Sequence, residues 1–84
     1  MKIVYAPVFV RQFDKLESGL QEEVLEKIEL FRDIGNHKIL KIHKLHGRLQ
    51  DRYSFSVNYK IRIVFVQKDG EYWFLSIGSH DIYN

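Results

Sequence analysis

The stretch YSFSVNYKIRIVFVQKDGEYWFLSI, from Tyr53 to Ile77, decides the fold. Residues 53–57 alternate aromatic or aliphatic side chains with serine, as a half-buried β-strand does. Residues 61–66 and 72–77 are two further runs, rich in β-branched and aromatic side chains that favour strands. The stretch therefore predicts three strands in succession.

Two turn sequences separate these runs. Residues 58–60, NYK, predict a turn between the first two strands. Lys68-Asp69-Gly70-Glu71 places the pair Asp-Gly, a strong signal for a tight hairpin, between the second and third. Consecutive strands joined by such short turns form an antiparallel meander.

The N-terminal part of the sequence predicts one strand followed by a helix. Residues 2–5, KIVY, predict a short strand, and Pro7 suits the first turn of a helix. In that first helix, one apolar stripe contains Val8, Phe9, Phe13 and Leu16.

A second helix is predicted over residues 20–34, starting after Ser18 or Gly19 and stopped by Gly35-Asn36. Its core-facing positions are Leu20, Val24, Leu25, Ile28, Phe31 and Ile34. Residues 37–46 show no single period and are compatible with a helical turn or an extended segment. The order is β-α-α-β-β-β, an α+β fold with a two-helix N-terminal hairpin packed on a mostly antiparallel sheet.

Length and composition limit the classes of protein to which the chain can belong. Eighty-four residues, 45% of them hydrophobic, predict a single domain over residues 1–84. No uncharged apolar run approaches the ~18 residues of a membrane-spanning helix, and MKIVYAP does not resemble a signal peptide. The absence of cysteine excludes disulfides and thiolate chemistry. We therefore expect a cytoplasmic protein.

The net charge of +2 conceals two halves of opposite sign. Residues 14–33 contain seven acids and three bases, whereas residues 37–62 contain one acid and seven bases. A basic half of this kind favours a polyanionic partner such as nucleic acid.

Few residues form a pattern that carries chemistry. No Gly-rich phosphate loop, HExxH or GxSxG occurs. His43 and His46 have the i, i+3 spacing of a helix face, but two histidines lack a third metal ligand, so we expect no metal and no cofactor. Solvated histidines in a basic loop are the alternative.

Arg62 is a charged residue within an apolar strand. It suits a phosphate clamp, or else a solvated position or an ion pair with Glu71 or Asp81. His80 and Tyr83 follow the last strand; histidine transfers protons near neutral pH, and tyrosine stacks on bases. Together with Arg62 they would form the parts of a ribonuclease site. A purely structural role is an equally open alternative for both residues: His80 in a turn, bonded to Asp81, and Tyr83 packed at the edge of the core.

Three segments carry a family resemblance: KLHG, RYSFSVNYKIRIVF and YWFLSIGSHDIY. They resemble the RelE/ParE superfamily of small toxins from bacterial type II toxin–antitoxin systems, nearest the RelE/YafQ-like mRNA interferase branch. The resemblance implies a metal-independent endoribonuclease that cleaves mRNA in the ribosome and a cognate antitoxin that binds it through an apolar surface.

The resemblance also implies residue roles. Arg62 matches the strand arginine that contacts the scissile phosphate, His80 a proton-transfer histidine, and Tyr83 the terminal aromatic against the attacked nucleotide. His43 lies near a second functional histidine of the same branch, with His46 as its competitor. The residues expected to contact RNA or the ribosome are Lys38, Lys41, Lys44, His46, Arg48, Arg52 and Lys60.

One difference from the family pattern keeps two alternative functions open. RelE has two catalytic lysines in the strand that here reads Ser54-Phe55-Ser56. Activity would therefore rest on the histidines. The alternatives are a ParE-like inhibitor of DNA gyrase and an inactive member that only binds its antitoxin.

Overall fold

The computed structural model describes residues 1–49 and 51–79 of the chain. The two helices and five strands are β1 (Lys2–Tyr5), α1 (Pro7–Asp14), α2 (Ser18–Phe31), β2 (His43–Lys44), β3 (Tyr53–Ser56), β4 (Arg62–Lys68) and β5 (Glu71–Gly78). Short 3₁₀ turns cover Ile34–Asn36 and Gly47–Leu49.

One sheet has the strand order β1-β5-β4-β3-β2. β1 runs parallel to β5, and every other neighbouring pair is antiparallel. The two helices pack against this sheet, so the predicted α+β architecture is confirmed. The strand β2, within the segment that the sequence left open, adds a fifth strand at one edge.

The β4–β5 hairpin turns where the sequence predicted. Lys68 pairs with Glu71, and the two residues between them, Asp69 and Gly70, have φ angles of 52° and 78°. Two consecutive positive φ angles are the signature of a type I′ turn, which the pair Asp-Gly favours.

Helix α2 differs from its prediction at both ends. It covers Ser18–Phe31 rather than residues 20–34, and Ser18 lies inside the helix instead of before it. The side-chain Nδ2 of Asn36 donates to the Leu30 carbonyl at 3.0 Å, and His37 Nε2 lies 2.8 Å from the Phe31 carbonyl. Because a carbonyl only accepts, that nitrogen of His37 carries a proton. These side chains satisfy the last carbonyls of the helix and thereby end it before Gly35.

The core lies between the helices and one face of the sheet. Phe31 of α2 is fully buried, with its ring centroid 5.0 Å from that of Phe55 and 5.2 Å from that of Phe74. Two positions that the helical stripe assigned to the core, Leu25 and Ile34, are instead 54% and 66% exposed. None of the described helices has the length and hydropathy needed to cross a membrane.

Candidate anion-binding cleft

A cleft of about 480 Å³ opens between α2 and the edge of the sheet. It is called the cationic cleft below. Its walls come from α2, the 39–41 turn, β2, β3 and the first residue of β4. The lining residues are Lys27, Leu30, Ile39, Leu40, Lys41, His43, Leu45, Ser54, Ser56, Val57 and Arg62.

The strand register brings the polar residues of the cleft to one face of the sheet. His43 on β2 is opposite Ser54 on β3, and Ser56 on β3 is opposite Arg62 on β4. Directly opposed residues point to the same face, and so do residues two apart on one strand. Four side chains from three strands therefore converge, including the two predicted site residues His43 and Arg62.

Among residues 1–49 and 51–79, the charged side chains that line the cleft are all bases. Lys27, Lys41 and Arg62 contribute positive charge, His43 adds a titratable ring, and none of these described lining residues has a carboxylate. Ser54 and Ser56 add hydroxyl groups. Cationic donors gathered in a concave site without a compensating acid attract an anion, and the planar guanidinium suits a phosphate.

Arg62 is anchored by a neutral group. Its guanidinium donates a hydrogen bond to the hydroxyl of Ser56. The ion pair with Glu71 that the sequence left open does not form, because Arg62 is opposite Gly78 at one end of the β4–β5 pair and Glu71 is opposite Lys68 at the other. Glu71 pairs instead with Lys2 at 3.0 Å. This contact with Lys2 lowers the pKa of the Glu71 carboxyl. Asp81, the other acid considered for Arg62, lies outside the described residues.

The structure separates His43 from His46. His43 lines the cleft in β2, whereas His46 is exposed beyond the strand and is not among the lining residues. The i, i+3 spacing does not place the two on one helix face, because His43 belongs to a strand. Within residues 1–49 and 51–79, no group of three His, Asp or Glu side chains could hold a metal ion.

The remaining predicted residues are distributed unevenly. Of the bases expected to contact RNA, only Lys41 lines the cleft. Lys38, Lys44, Arg48 and Lys60 are exposed elsewhere, and Arg52 Nε lies 3.8 Å from Asp51 Oδ1. His80 and Tyr83 lie outside the described residues.

Lys27 is the cleft residue that sequence reasoning missed. It is the single base within α2, whose sequence SGLQEEVLEKIELF contains four glutamates. The position of Lys27 in the helical period could have indicated this placement. Lys27 directly precedes the buried Ile28 and is one turn from the buried Val24. The aliphatic part of its side chain therefore begins beside the core-facing stripe rather than on the acidic face.

Comparison with known proteins gives structural matches only. No family model matches the sequence, and no curated protein sequence does. A conserved hypothetical protein from Helicobacter pylori has a TM-score of 0.76 at 20% identity, with 96% of each chain covered. The YoeB-YefM complex from Staphylococcus aureus has a TM-score of 0.75 at 20% identity, covering 95% of this chain and 97% of the other.

A third similar structure is the E. coli DinJ-YafQ toxin-antitoxin complex, with a TM-score of 0.74 at 16% identity, covering 96% of this chain and 93% of the other. Identities this low establish a shared architecture and not a shared activity. The protein thus shares its fold with the YoeB-YefM and DinJ-YafQ structures over nearly its whole length.

Proposed function

We propose that this protein is the toxin of a type II toxin–antitoxin system and cleaves mRNA on the ribosome. The single observation that best supports the proposal is the cationic cleft, which brings together Arg62 and His43 from two different strands of a RelE/ParE-like fold. The family resemblance implies a role in catalysis for both residues.

The chemistry of the cleft suits a ribose–phosphate substrate. In the proposed reaction the 2′-hydroxyl of one nucleotide attacks the adjacent phosphorus and loses its proton to a base. The P–O5′ bond then breaks, and the 5′-oxygen takes up a proton from an acid. The products are a 2′,3′-cyclic phosphate and a 5′-hydroxyl. Since the nucleophile belongs to the substrate, the step needs no activated water and no metal.

Each proposed residue has one role in this reaction. Arg62 stabilises the negative charge that builds on the phosphate, because a guanidinium donates two parallel hydrogen bonds to phosphate oxygens. His43 and His80 are the proposed proton-transfer groups, and Tyr83 is proposed to stack on the base beside the cut. Lys27 and Lys41 are proposed to hold neighbouring phosphates.

The proposed partners follow from the same proposed function. The solved YoeB-YefM and DinJ-YafQ structures are complexes. By analogy we propose a cognate antitoxin for this chain, and ribosomes carrying mRNA as the target. The exposed residues Lys38, Lys44, His46, Arg48 and Lys60, with Lys41 in the cleft and the partly buried Arg52, are proposed to contact ribosomal RNA. This predicts binding that weakens steeply with salt.

Induced expression in a bacterial host tests the proposal. Primer extension on a reporter mRNA is compared between a translated copy and a copy whose start codon is destroyed. Cuts confined to the translated copy support ribosome-dependent cleavage. Growth arrest with intact mRNA and DNA damage would instead indicate a gyrase inhibitor, and absence of arrest would indicate a member that only binds its antitoxin.

A further inference from the structure

The turn between β3 and β4 carries an aromatic side chain that the fold does not use. Tyr59 is 88% exposed. Within residues 1–49 and 51–79, its ring contacts no other ring and its hydroxyl forms no hydrogen bond. Its φ angle is not in the left-handed region, so the turn places no special demand on the residue at this position. The ring therefore serves neither the packing nor the turn, and both of its faces are open to a ligand.

The turn that carries Tyr59 is held in place by the side chain of Asn58. Asn58 Oδ1 accepts hydrogen bonds from the backbone nitrogens of Lys60 and Ile61, both at 2.8 Å. Asn58 Nδ2 donates to Glu23 Oε1 on α2 at 2.7 Å. One side chain thus fixes the turn and ties it to the helix. Because the backbone on both sides of Tyr59 is already ordered, less conformational entropy is lost when a ligand covers the ring.

The turn lies at one end of the cationic cleft. Val57, the residue before Asn58, is one of the residues that line the cleft. On α2, Glu23 contacts the turn and Lys27 lines the cleft. These two residues share one helix face at the i, i+4 spacing and are about 6 Å apart along the axis. One extended ligand can therefore contact both the cleft and Tyr59.

The charges at this end of the cleft favour an uncharged part of such a ligand. Lys27, Lys41 and Arg62 provide the positive charge inside the cleft. At the turn, by contrast, the carboxylate of Glu23 is bonded to a neutral amide and keeps its charge, so it repels a phosphate. A nucleobase is planar and uncharged, and any of the bases stacks on a tyrosine ring.

We infer that Tyr59 is a stacking platform for an unpaired nucleobase of single-stranded RNA whose phosphates lie in the cationic cleft. The choice of RNA as the ligand rests on the function proposed above, whereas the stacking itself requires no cleavage. Tyr59 is distinct from Tyr83, to which the family resemblance gives the contact with the attacked nucleotide. Tyr59 therefore holds the strand at a second base, at the end of the cleft that the turn borders.

An RNA that cannot be cleaved tests the inference. A fluorescein-labelled single strand of about 12 nucleotides, within the usual length of a single-stranded site, carries 2′-O-methyl groups and so lacks the attacking hydroxyl. Fluorescence anisotropy at low salt then measures affinity alone. Tyr59→Ala should weaken binding about fivefold to 150-fold, the cost of losing one stacked base. Tyr59→Phe should keep the affinity because it keeps the ring, and Tyr59→Leu should lose most of it.

Matched measurements separate stacking from charge. Single abasic nucleotides are placed in turn along the RNA, and we expect one position to reproduce the loss seen with Tyr59→Ala. On that RNA, Tyr59→Ala should have no further effect. Lys60→Gln should reduce the slope of log affinity against log salt by about 0.7, whereas Tyr59→Ala should leave the slope unchanged. Trp73→Leu, at an exposed aromatic residue of β5 that does not line the cleft, should leave binding unchanged.

The possible failures are distinguishable from failure of the proposed ribonuclease. Unchanged affinity in Tyr59→Ala, full affinity in Tyr59→Leu, the absence of any base-dependent position, or no binding of the RNA would each overturn the stacking inference. Loss of affinity in Tyr59→Ala, together with mRNA that stays intact on the ribosome, would support the inference and contradict the proposed cleavage.

Discussion

Arg62 and Ser56 are directly opposed across β3 and β4, and the guanidinium of Arg62 donates to the hydroxyl of Ser56. A hydroxyl orients the arginine but, unlike a carboxylate, does not neutralise it. The positive charge therefore remains available to a ligand in the cationic cleft, where none of the lining residues that the structure describes is an acid. This arrangement is what an oriented phosphate donor requires.

Replacement of Arg62 should remove catalysis without unfolding the protein. Arg62→Ala is expected to lower the cleavage rate by about 10²–10³-fold, the usual cost of losing one preorganised donor to a developing oxyanion. Arg62→Lys should recover only part of it, because an ammonium lacks the bidentate geometry. The measurement is single-turnover cleavage of ribosome-bound mRNA, with circular dichroism to verify folding.

Ser56→Ala should have a smaller effect than either change at Arg62. The variant keeps the charge and loses only the contact that orients it, a neutral hydrogen-bond partner of modest energy. We expect a loss of about tenfold or less in the same assay. A Ser56→Ala enzyme as inactive as Arg62→Ala would mean that the serine itself takes part in the chemistry.

The two neighbouring histidines should differ sharply. His43→Gln, in the cleft, is expected to reduce the rate of the cleavage step itself. His46→Gln, at a proposed RNA contact outside the cleft, is expected to weaken ribosome binding slightly and to leave the single-turnover rate at saturating ribosomes close to that of the unmodified protein. Proton transfer by a positioned side chain contributes about 10²–10⁴-fold, so the His43 effect should be easy to resolve. Equal effects of the two variants would contradict the assignment of His43.

Lys27 and Lys41 should report on phosphate contacts. Lys27→Gln removes one charge, and Lys41→Asn removes another while tolerating the left-handed φ of 54° at that position. Each variant should reduce the slope of log affinity against log salt by about 0.7 for single-stranded RNA. Fluorescence anisotropy measures this, with Lys68→Gln, at the far end of β4, as the control.

Core packing around Phe31 should dominate stability. Phe31 is fully buried and its ring contacts those of Phe55, Phe65 and Phe74. Phe31→Ala is expected to lower the free energy of unfolding by about 3–5 kcal/mol. Leu25→Ala, at a half-exposed position of the same helix, should change it by about 0.5 kcal/mol or less. Urea denaturation checks both, and equal effects would contradict the assigned burial.

The Lys2–Glu71 pair should produce a small pH dependence of stability. The hydrogen bond from Lys2 lowers the pKa of Glu71 in the folded state. The contribution is therefore present above the ordinary carboxyl pKa and is lost as the pH falls through the lowered value. Urea midpoints of the unmodified protein and Lys2→Met should differ slightly near neutral pH and converge in acid. A difference that grows in acid would contradict this sign.

Strong local patterns made most of the fold predictable. The alternation in β3, the Asp69-Gly70 turn and the proline at the start of α1 each specify backbone geometry within a few residues. The strand β2 has only two residues, and its pairing with β3 depends on contacts distant in sequence. No period in residues 37–46 could reveal it.

The apolar stripe of α2 led to a wrong prediction of burial at two positions, because contacts distant in sequence decide which side chains are buried. Leu25 and Ile34 fit the apolar period, yet Leu25 lies at the surface groove between α1 and α2. Ile34 comes after the end of α2, whose last carbonyls interact with the side chains of Asn36 and His37. The site assignment stays a prediction. Two of its residues, Arg62 and His43, line one cleft, and Lys27, which lines the same cleft, was missed because its acidic helix suggested a solvated face.

Cleavage by purified components tests the central claim most directly. The protein is mixed with ribosomes programmed with a defined mRNA, and with the same mRNA alone. We predict cuts only on the ribosome, ends bearing a 2′,3′-cyclic phosphate and a 5′-hydroxyl, and loss of both with folded Arg62→Ala. Intact mRNA on the ribosome in the presence of excess folded protein, or cleavage that persists in Arg62→Ala, would contradict the proposal that the cationic cleft is a ribonuclease site.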